Sequence, residues 1–162
     1  MACETAKGCM PLTFQPGSPV LIFSRRGEWA CGYSADRNGA GPAWFHSTDL
    51  RHIRYDLNPS GKSWAGAWTD GSDRIQITLA NAGTLHVIGK ATWHGAKGVQ
   101  HYGDLDASAA AAGNRLHLVY GSTEDCVVDM TLLGKFILAN DNNRCGGMNV
   151  RFWGFWRRAP SP

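Results

Sequence analysis

The stretch that decides the fold is residues 73–93, DRIQITLANAGTLHVIGKATW. Apolar residues occupy every second position from Ile75 to Leu79, and the same alternation returns from Leu85 to Trp93. Successive side chains of a strand point to opposite faces, so each run has one apolar face. The Asn-Ala-Gly segment between the runs suits a hairpin loop, because Asn and Gly tolerate turn geometry. The stretch therefore predicts a β-hairpin whose apolar face must be covered by further strands.

Further short alternating runs supply those strands on both sides of the hairpin. They occupy residues 64–68, 99–105, 115–120, 126–133, 136–139 and 150–156. The intervening DASAAAAG at 106–113 predicts a loop or a wide hairpin, because it is too short for a stable helix. Strands joined by hairpins favour an all-β, antiparallel up-and-down barrel of roughly eight strands over residues 63–158, since closure removes exposed edges. A two-sheet sandwich is the alternative architecture.

The chain before the barrel divides into an arm, a small β unit and a linker. Prolines and glycine make residues 1–17 an irregular arm. Residues 18–56 hold four short apolar runs, the last of them at 51–55, and predict a compact β unit. Residues 57–62 are polar with Pro and Gly, which is typical of a linker. Residues 159–162 form a tail.

The β unit has a sequence order that resembles bacterial SH3-like domains. An apolar strand is followed by RRGEWACGY, a Gly-rich loop and AWFHSTDL. The residues that match the family pattern are Gly27, Trp29, Tyr33, Trp44, Phe45 and Leu50, with Ala43 standing where the family usually has Gly. The resemblance implies a small SH3-like barrel that serves as a binding module near the cell wall and has no catalytic activity.

Two further resemblances concern the barrel. Its opening W-x-G-x-W, I-x-I and G-x-L-x-V-x-G elements resemble the first hairpin of avidin- and lipocalin-type barrels. The matching residues are Trp64, Gly66, Trp68, Ile75, Ile77, Gly83, Leu85, Val87 and Gly89. The biotin-contacting set of that family has no counterpart here. Residues 141–152 resemble the C-terminal end of small bacterial extracytoplasmic proteins, some of which accompany lysozyme-inhibitor-like modules.

Composition and charge restrict the classes of partner. The chain is 43% apolar and 18% charged, which is typical of a packed globular protein and argues against disorder. The net charge of +3 is spread along the sequence, so we expect no nucleic-acid interface. No apolar run approaches the ~20 residues of a membrane span. The N-terminal MACETAKGCM lacks the apolar segment of a signal peptide.

Five cysteines bear on the cellular compartment. Cys126 opens an apolar strand and Cys145 lies in a Gly-Gly loop, so we expect them to form a disulfide. Cys3 and Cys9 are close enough in sequence to form a second one, and Cys31 is expected to be a buried free thiol. Disulfides favour an oxidising compartment, either periplasmic or secreted, while five free thiols in the cytosol are the alternative.

The most unusual polar stretch is the loop at residues 140–149, which combines amides, a carboxylate, a cation and two glycines. Polar loops on a rigid scaffold are frequent binding sites. The alternative is a structural turn in which the Asn side chains satisfy backbone groups. The residues predicted to contact a partner are Asn140, Asp141, Asn142, Asn143, Arg144 and Asn149, together with Trp153 and Phe155 of FWGFWRR. Those two aromatics are covered either by the N-terminal unit or by a partner.

No catalytic, metal or cofactor motif emerges. His94 and His101 flank one loop and, with a carboxylate such as Asp104 or Asp106, could serve acid–base work or bind a metal, but nothing in the sequence fixes their mutual geometry. Close Cys/His ligand pairs typical of zinc are absent from the sequence. The sequence therefore predicts a protein that is not an enzyme and needs no cofactor.

The function predicted is binding outside the cytoplasm. The most concrete version is a periplasmic inhibitor or immunity protein whose loop enters the active site of a cell-wall-degrading enzyme. One alternative is a lipocalin-type carrier of a small apolar ligand, but the predicted inward set is bulky and favours a filled barrel. That set is Trp68, Leu85, Leu118, Met130 and Phe136. The other alternative is a module that binds cell-wall glycan, including peptidoglycan, through exposed Trp.

Overall fold

A computed structural model describes residues 14–35, 42–121 and 125–160 of the chain, except the side chain of Ala82. The chain forms two compact units, residues 1–54 and 55–162. The fold is all-β, as predicted. Within the described ranges, no helix has the length and apolar character needed to cross a bilayer.

The first unit contains a three-stranded antiparallel sheet. Its strands are β1 (Val20–Arg26), β2 (Trp29–Ser34) and β3 (Ala43–His46), in the order β1-β2-β3. β1 carries an irregularity between Ile22 and Ser24, where its register against β2 shifts. The strand predicted at residues 51–55 is wrong: residues 51–55 have no regular structure, and their side chains are exposed rather than alternately buried.

The state of Cys31 also differs from the sequence expectation. Cys31 lies in β2 with no exposed surface, but it is disulfide-bonded rather than a free thiol. Its bonding partner lies outside the described residues. The predicted Cys3–Cys9 pair also lies outside them.

The second unit is an eight-stranded antiparallel barrel. Its strands are β4 (Gly66–Thr69), β5 (Arg74–Leu79), β6 (Thr84–His94), β7 (Gln100–Ala110), β8 (Arg115–Tyr120), β9 (Cys126–Leu133), β10 (Phe136–Asp141) and β11 (Gly154–Arg158). The sheet order β7-β6-β5-β4-β11-β10-β9-β8 joins the first and last strands of the barrel. β7 and β8 stand at the two ends of this order, and among the described residues they are joined by a single bridge, Ala112–Arg115, where their connecting turn meets β8; the barrel is thus nearly closed with one open seam. The predicted up-and-down topology is confirmed.

The hairpin at residues 73–93 has the predicted form. β5 pairs with β6 through Ile75–Gly89, Ile77–Val87 and Leu79–Leu85. The inward residues of both strands are buried, apart from Trp93, which is partly buried against the core, and Leu79, which lies next to Gly61 at the barrel end. The alternation seen in the sequence therefore sets which face of the hairpin meets the core.

The barrel interior is filled with large side chains. The largest fully buried residues include Trp64, Trp68, Trp156, Phe152, Ile75, Ile77, Leu85, Leu105, Leu116, Leu118, Met130 and Ile137. Four members of the predicted inward set are among them, but Phe136 is half-buried and its neighbour Ile137 takes the inward position. An eight-stranded barrel is just wide enough for side chains to fill it, and this one is occupied in that way.

The first part of the alanine-rich segment, residues 106–110, is strand rather than loop, and residues 111–113 belong to the β7–β8 hairpin connection. β7 runs without interruption from Gln100 to Ala110 and pairs with β6 along its whole length. Ala107 is buried, and Ala109 and Ala111 pack against the core. Pairing with an eleven-residue neighbour overrides the low strand propensity of alanine, which is a weak and context-dependent preference.

One end of the barrel is covered by a short helix, α1 (Gly61–Trp64), and is called the helical end here. α1 begins within the predicted linker at 57–62. Trp68 donates its indole N–H to the carbonyl of Trp64 at 2.9 Å. Arg158 of β11 lies 4.4 Å over the Trp68 ring and donates to the carbonyls of Ala65 and Ser63 at 2.7 and 2.6 Å. These contacts join the first strand of the barrel, β4, to its last strand, β11, and to α1.

Candidate protein-binding surface

The predicted binding loop lies at the other end of the barrel, called the loop end. Residues 142–153 connect β10 to β11 there. The same end carries the β4–β5 turn at 70–73, the start of β9, and the β6–β7 turn, a short 3-10 segment at Ala96–Gly98. Alternating strand directions in an up-and-down barrel place these connections together.

Asp141 fixes the base of the loop from inside. Its side chain has no exposed surface and accepts a hydrogen bond from Arg151 Nε at 2.8 Å. It also accepts from the backbone N–H groups of Asn143, at 2.9 Å, and of Phe152. A buried carboxylate with three donors ties the start of the loop to its end. Asp141 therefore shapes the loop from the interior and is not exposed for the partner contact that the sequence analysis predicts.

Asn142 performs a second structural task. Its amide oxygen accepts from the N–H groups of Val127 and Arg144 at 3.2 and 3.1 Å. Its amide nitrogen donates to the Asp125 carbonyl at 3.3 Å, and its backbone N–H donates to the Val127 carbonyl at 3.1 Å. The side chain thus extends the β9–β10 ladder past the end of β10, as the structural-turn interpretation of this amide expects.

The disulfide predicted between Cys126 and Cys145 is confirmed. Both residues are buried and 19 positions apart in sequence. The bond attaches the middle of the loop to the first residue of β9. The loop is therefore held covalently at one point in addition to the hydrogen bonds at its base.

The far part of the loop packs along β7. Gly147 donates its N–H to the Tyr102 carbonyl at 3.0 Å, and His101 Nδ1 donates to the Met148 carbonyl at 2.6 Å. A Cβ on Gly103 or Gly146 would collide with the opposing backbone, so glycine at both positions permits this close approach. The loop therefore reaches the β7 edge of the open seam and pairs with it.

Loop and β6–β7 turn together expose one set of side chains, which we call the loop–hairpin surface. Met148 and Tyr102 are its most exposed large hydrophobic side chains, at 73% and 63%. Trp93 stacks on His101, with ring centroids 5.1 Å apart. The exposed members of the surface are Lys97, Val99, Tyr102, Asn143, Arg144, Met148 and Asn149. Tyr, Trp, Met and Arg are enriched in protein–protein interfaces, so this composition suits a protein partner.

The structure brings together only part of the predicted site. Asn143, Arg144 and Asn149 lie on the loop–hairpin surface, and Asn140 is exposed on β10. Phe155 is only 6% exposed and packs against Phe136 with ring centroids 6.3 Å apart, so it belongs to the fold of the barrel.

Trp153 keeps 45% of its surface exposed just before β11. The strand begins at Gly154, whose φ of 115° interrupts the alternation. Phe155 and Trp156 are therefore both buried, although they are neighbours. The sequence pattern alone had placed Phe155 on the same outer face as Trp153.

The β6–β7 turn is the part of the surface that sequence analysis missed. Its sequence HGAKGVQHY carries the signal, because glycines flank a lysine between two aromatic strand ends. Lys97 has a φ of 58° in the left-handed region, where glycine is the usual residue. Because lysine is uncommon in this conformation, the Lys97 side chain is a candidate for a role in binding.

One carboxyl at the loop end has a perturbed acidity. Partial burial raises the pKa of Asp73 above its ordinary value. The hydrogen bond that its carboxylate accepts from the Thr92 N–H at 2.9 Å lowers this pKa. Negative Asp70 adds to the rise, and His94 opposes it. Among the residues that the structure describes, no group of three or more His, Cys, Asp or Glu side chains is placed to hold a metal ion.

Comparison with protein-family models, with curated proteins and with solved structures gives no significant match for this chain. The SH3-like, avidin- or lipocalin-type and lysozyme-inhibitor-associated resemblances therefore remain sequence predictions.

Proposed function

We propose that this protein acts outside the cytoplasm as a non-enzymatic inhibitor or immunity protein against a cell-wall-degrading enzyme. In this proposal the loop at residues 142–149 enters the active-site cleft of the enzyme and blocks it. The proposal joins the sequence expectation of a binding loop to the observed construction of that loop.

The single observation that carries the proposal is the contrast between the base of the loop and its outer side chains. Asp141, Asn142 and Cys145 are held by internal bonds, whereas Arg144, Met148 and Asn149 point outward and are exposed. Binding normally costs conformational entropy for each loop and side chain that becomes ordered. A loop already fixed in one shape avoids much of that cost, as in other preorganised inhibitors.

The disulfides support the location part of the proposal. The Cys126–Cys145 bond and the bonded state of Cys31 fit an oxidising compartment, where such bonds form and persist. Cell-wall hydrolases act in that same compartment, so inhibitor and target would meet there. An inhibitor needs a stable loop and no catalytic group of its own.

The test is a titration against a panel of wall hydrolases: chicken-type and goose-type lysozymes, a lytic transglycosylase and an amidase. We expect stoichiometric inhibition of at least one, measured as slowed clearing of a peptidoglycan suspension and as binding by calorimetry. Truncating Met148 to Ala should weaken that binding by about 2 kcal/mol if it is a central contact. Lys135→Ala, in the β9–β10 turn at the helical end, is the matched control. Absence of both inhibition and binding across the panel would refute the proposal.

A second candidate function, glycan binding, is favoured by one observation in the first unit. Trp29 is half-exposed, its ring meets His46 edge-on at 5.1 Å, and Glu28 lies 3.7 Å from the same histidine. An exposed ring flanked by polar groups suits a sugar face. Sedimentation with purified peptidoglycan that is lost in Trp29→Ala would establish this function, and unchanged sedimentation would exclude this site.

A further inference from the structure

We propose that Lys97 and Arg144 form a paired cationic contact that recognises a carboxylate-lined cleft of a protein partner. This inference rests on the proposed function and names the chemistry by which the loop–hairpin surface would select its target. It makes the β6–β7 turn a second insertion element beside the loop.

The first step is that the two segments form one surface. The Gly147 N–H bonds the Tyr102 carbonyl at 3.0 Å, and His101 bonds the Met148 carbonyl at 2.6 Å. These contacts run from the loop directly into the strand that follows the β6–β7 turn. A partner that covers Met148 and Tyr102 therefore meets side chains from both segments.

Charge is the second feature that bears on the partner of the loop–hairpin surface. The described carboxylates on the turns of the loop end are all engaged by groups of this chain. Asp70 accepts from the N–H groups of Ser72 and Asp73, Asp73 accepts from Thr92, and Asp141 is paired with Arg151. Asp125 also has an interaction partner.

The cations Lys97 and Arg144 are in the opposite situation. Both are exposed, and within the described residues neither side chain makes a hydrogen bond or ion pair. The seven exposed members of the loop–hairpin surface thus include two cations and no carboxylate, together with apolar Met148 and Tyr102. Such a surface complements a negatively charged cleft, and complementary charge increases both association rate and specificity.

The third step is the backbone conformation of Lys97. The turn is closed by hydrogen bonds from Gly95 N–H to the Val99 carbonyl at 2.8 Å and from Val99 N–H to the Ala96 carbonyl at 3.3 Å. Within it Lys97 has φ 58° and ψ 28°, a conformation that disfavours every residue with a Cβ relative to glycine. Folding alone would favour glycine here. We therefore assign the Lys97 side chain to the partner contact rather than to the stability of the turn.

The experiment uses the full-length protein and the hydrolase that the panel identifies. Lys97→Glu and Arg144→Glu are compared with Lys135→Glu, which makes the same charge change at the helical end. We expect each of the first two to weaken binding about tenfold or more, mainly through a charge-dependent association rate, and the control to change it less than twofold. Wild-type affinity should fall steeply between 50 and 300 mM salt.

A second variant separates recognition from folding. Lys97→Gly should raise the melting temperature, because glycine fits the left-handed conformation, and should still weaken binding. A structural role for Lys97 would instead make both change in the same direction. Amide replacement of a cleft carboxylate in the hydrolase should remove the penalty of Arg144→Glu or Lys97→Glu.

The outcomes separate the two proposals. Wild-type inhibition with unchanged affinity in Lys97→Glu, Arg144→Glu and Lys97→Gly would overturn the cationic contact and leave the inhibitor function standing. If the wild-type protein binds no hydrolase of the panel, the inhibitor function fails and the cationic contact fails with it. Loss of affinity in Lys135→Glu equal to that in Arg144→Glu would also overturn it, because only net charge would then matter.

Discussion

The two ends of the barrel are closed by different kinds of chemistry. At the helical end, buried Trp64 and the stack of Arg158 on Trp68 close the barrel with aromatic surface and bonds to backbone carbonyls. At the loop end, Asp141, Asn142 and a disulfide hold a polar segment in place. Apolar closure stabilises the unit but exposes few side chains to a partner. A polar loop held by internal bonds can expose several. The barrel thus separates stability from recognition.

We expect the largest loss of stability from a substitution at the helical end. Trp64 has no exposed surface, so Trp64→Ala leaves a cavity and should lower the free energy of unfolding by about 3–5 kcal/mol. Urea denaturation followed by circular dichroism measures the loss. The folded fraction should still bind its partner normally, since the loop end is untouched. Trp29→Ala removes the same side chain from a half-exposed position and should cost much less. Equal losses of stability in Trp64→Ala and Trp29→Ala would contradict the importance of buried Trp64 in closing the helical end.

Removing the disulfide tests the loop end. The Cys126→Ser/Cys145→Ser double variant should lose about 3 kcal/mol, because the unfolded chain regains the freedom of a loop spanning 19 residues. Unlike Trp64→Ala, it should also speed hydrogen exchange of the amides from Arg144 to Met148. Cys31→Ser breaks the disulfide of Cys31, away from the loop, and serves as the control. Unchanged exchange in the double variant would show that hydrogen bonds alone fix the loop.

The same contrast explains what the sequence could and could not predict. Period-two alternation predicted the hairpin of Ile75 and Ile77 and the up-and-down barrel, because one face of each strand must be buried. It failed where another constraint is stronger than the pattern. Gly154 shifts the last strand so that neighbouring Phe155 and Trp156 are both buried. Pairing with β6 makes residues 106–110 of the alanine-rich segment a strand.

The candidate site was less accessible to sequence reasoning. Composition correctly marked the loop as unusual, but composition does not separate Asp141, which faces inward, from Arg144, which faces solvent. That distinction depends on Arg151 and Phe152, which reach the carboxylate from the other end of the loop. The β6–β7 turn was missed because the loop meets the strand that follows it, β7, through residues far apart in sequence, 47 positions in the His101–Met148 bond.

A smaller change at the loop end concerns the buried carboxylate of Asp141. Asp141→Asn keeps the shape of the side chain but removes its charge and turns one acceptor into a donor that faces N–H groups. We expect a loss of about 2 kcal/mol, the range for hydrogen bonds to a charged partner, and weaker partner binding. Thermal unfolding and calorimetry measure the two effects. Asp104→Asn, at an exposed position of β7, should stay within about 0.5 kcal/mol. A loss of stability without loss of binding would show that the loop recovers its shape in the complex.

The smallest expected effect has the opposite sign and lies at the β4–β5 turn of the loop end. Partial burial raises the pKa of Asp73, so the folded state holds the proton more tightly than the unfolded state does. At neutral pH the charged carboxylate is therefore a small cost to the folded state. Asp73→Asn keeps an acceptor for the Thr92 N–H without that charge and should be slightly more stable than wild type, by well under 1 kcal/mol for a partly exposed group.

The sign of the pH dependence checks this account. Above the raised pKa the Asn variant should keep its full advantage. As the pH falls through that pKa towards the ordinary value of 3.8, the folded wild type gains its proton first, and the advantage should disappear. Urea midpoints of both proteins between pH 3.5 and 7 measure the difference. An advantage that grows as the pH falls would mean that hydrogen bonding by the charged carboxylate outweighs its burial. The turn would then be stabilised by charge, as the base of the neighbouring loop is by Asp141.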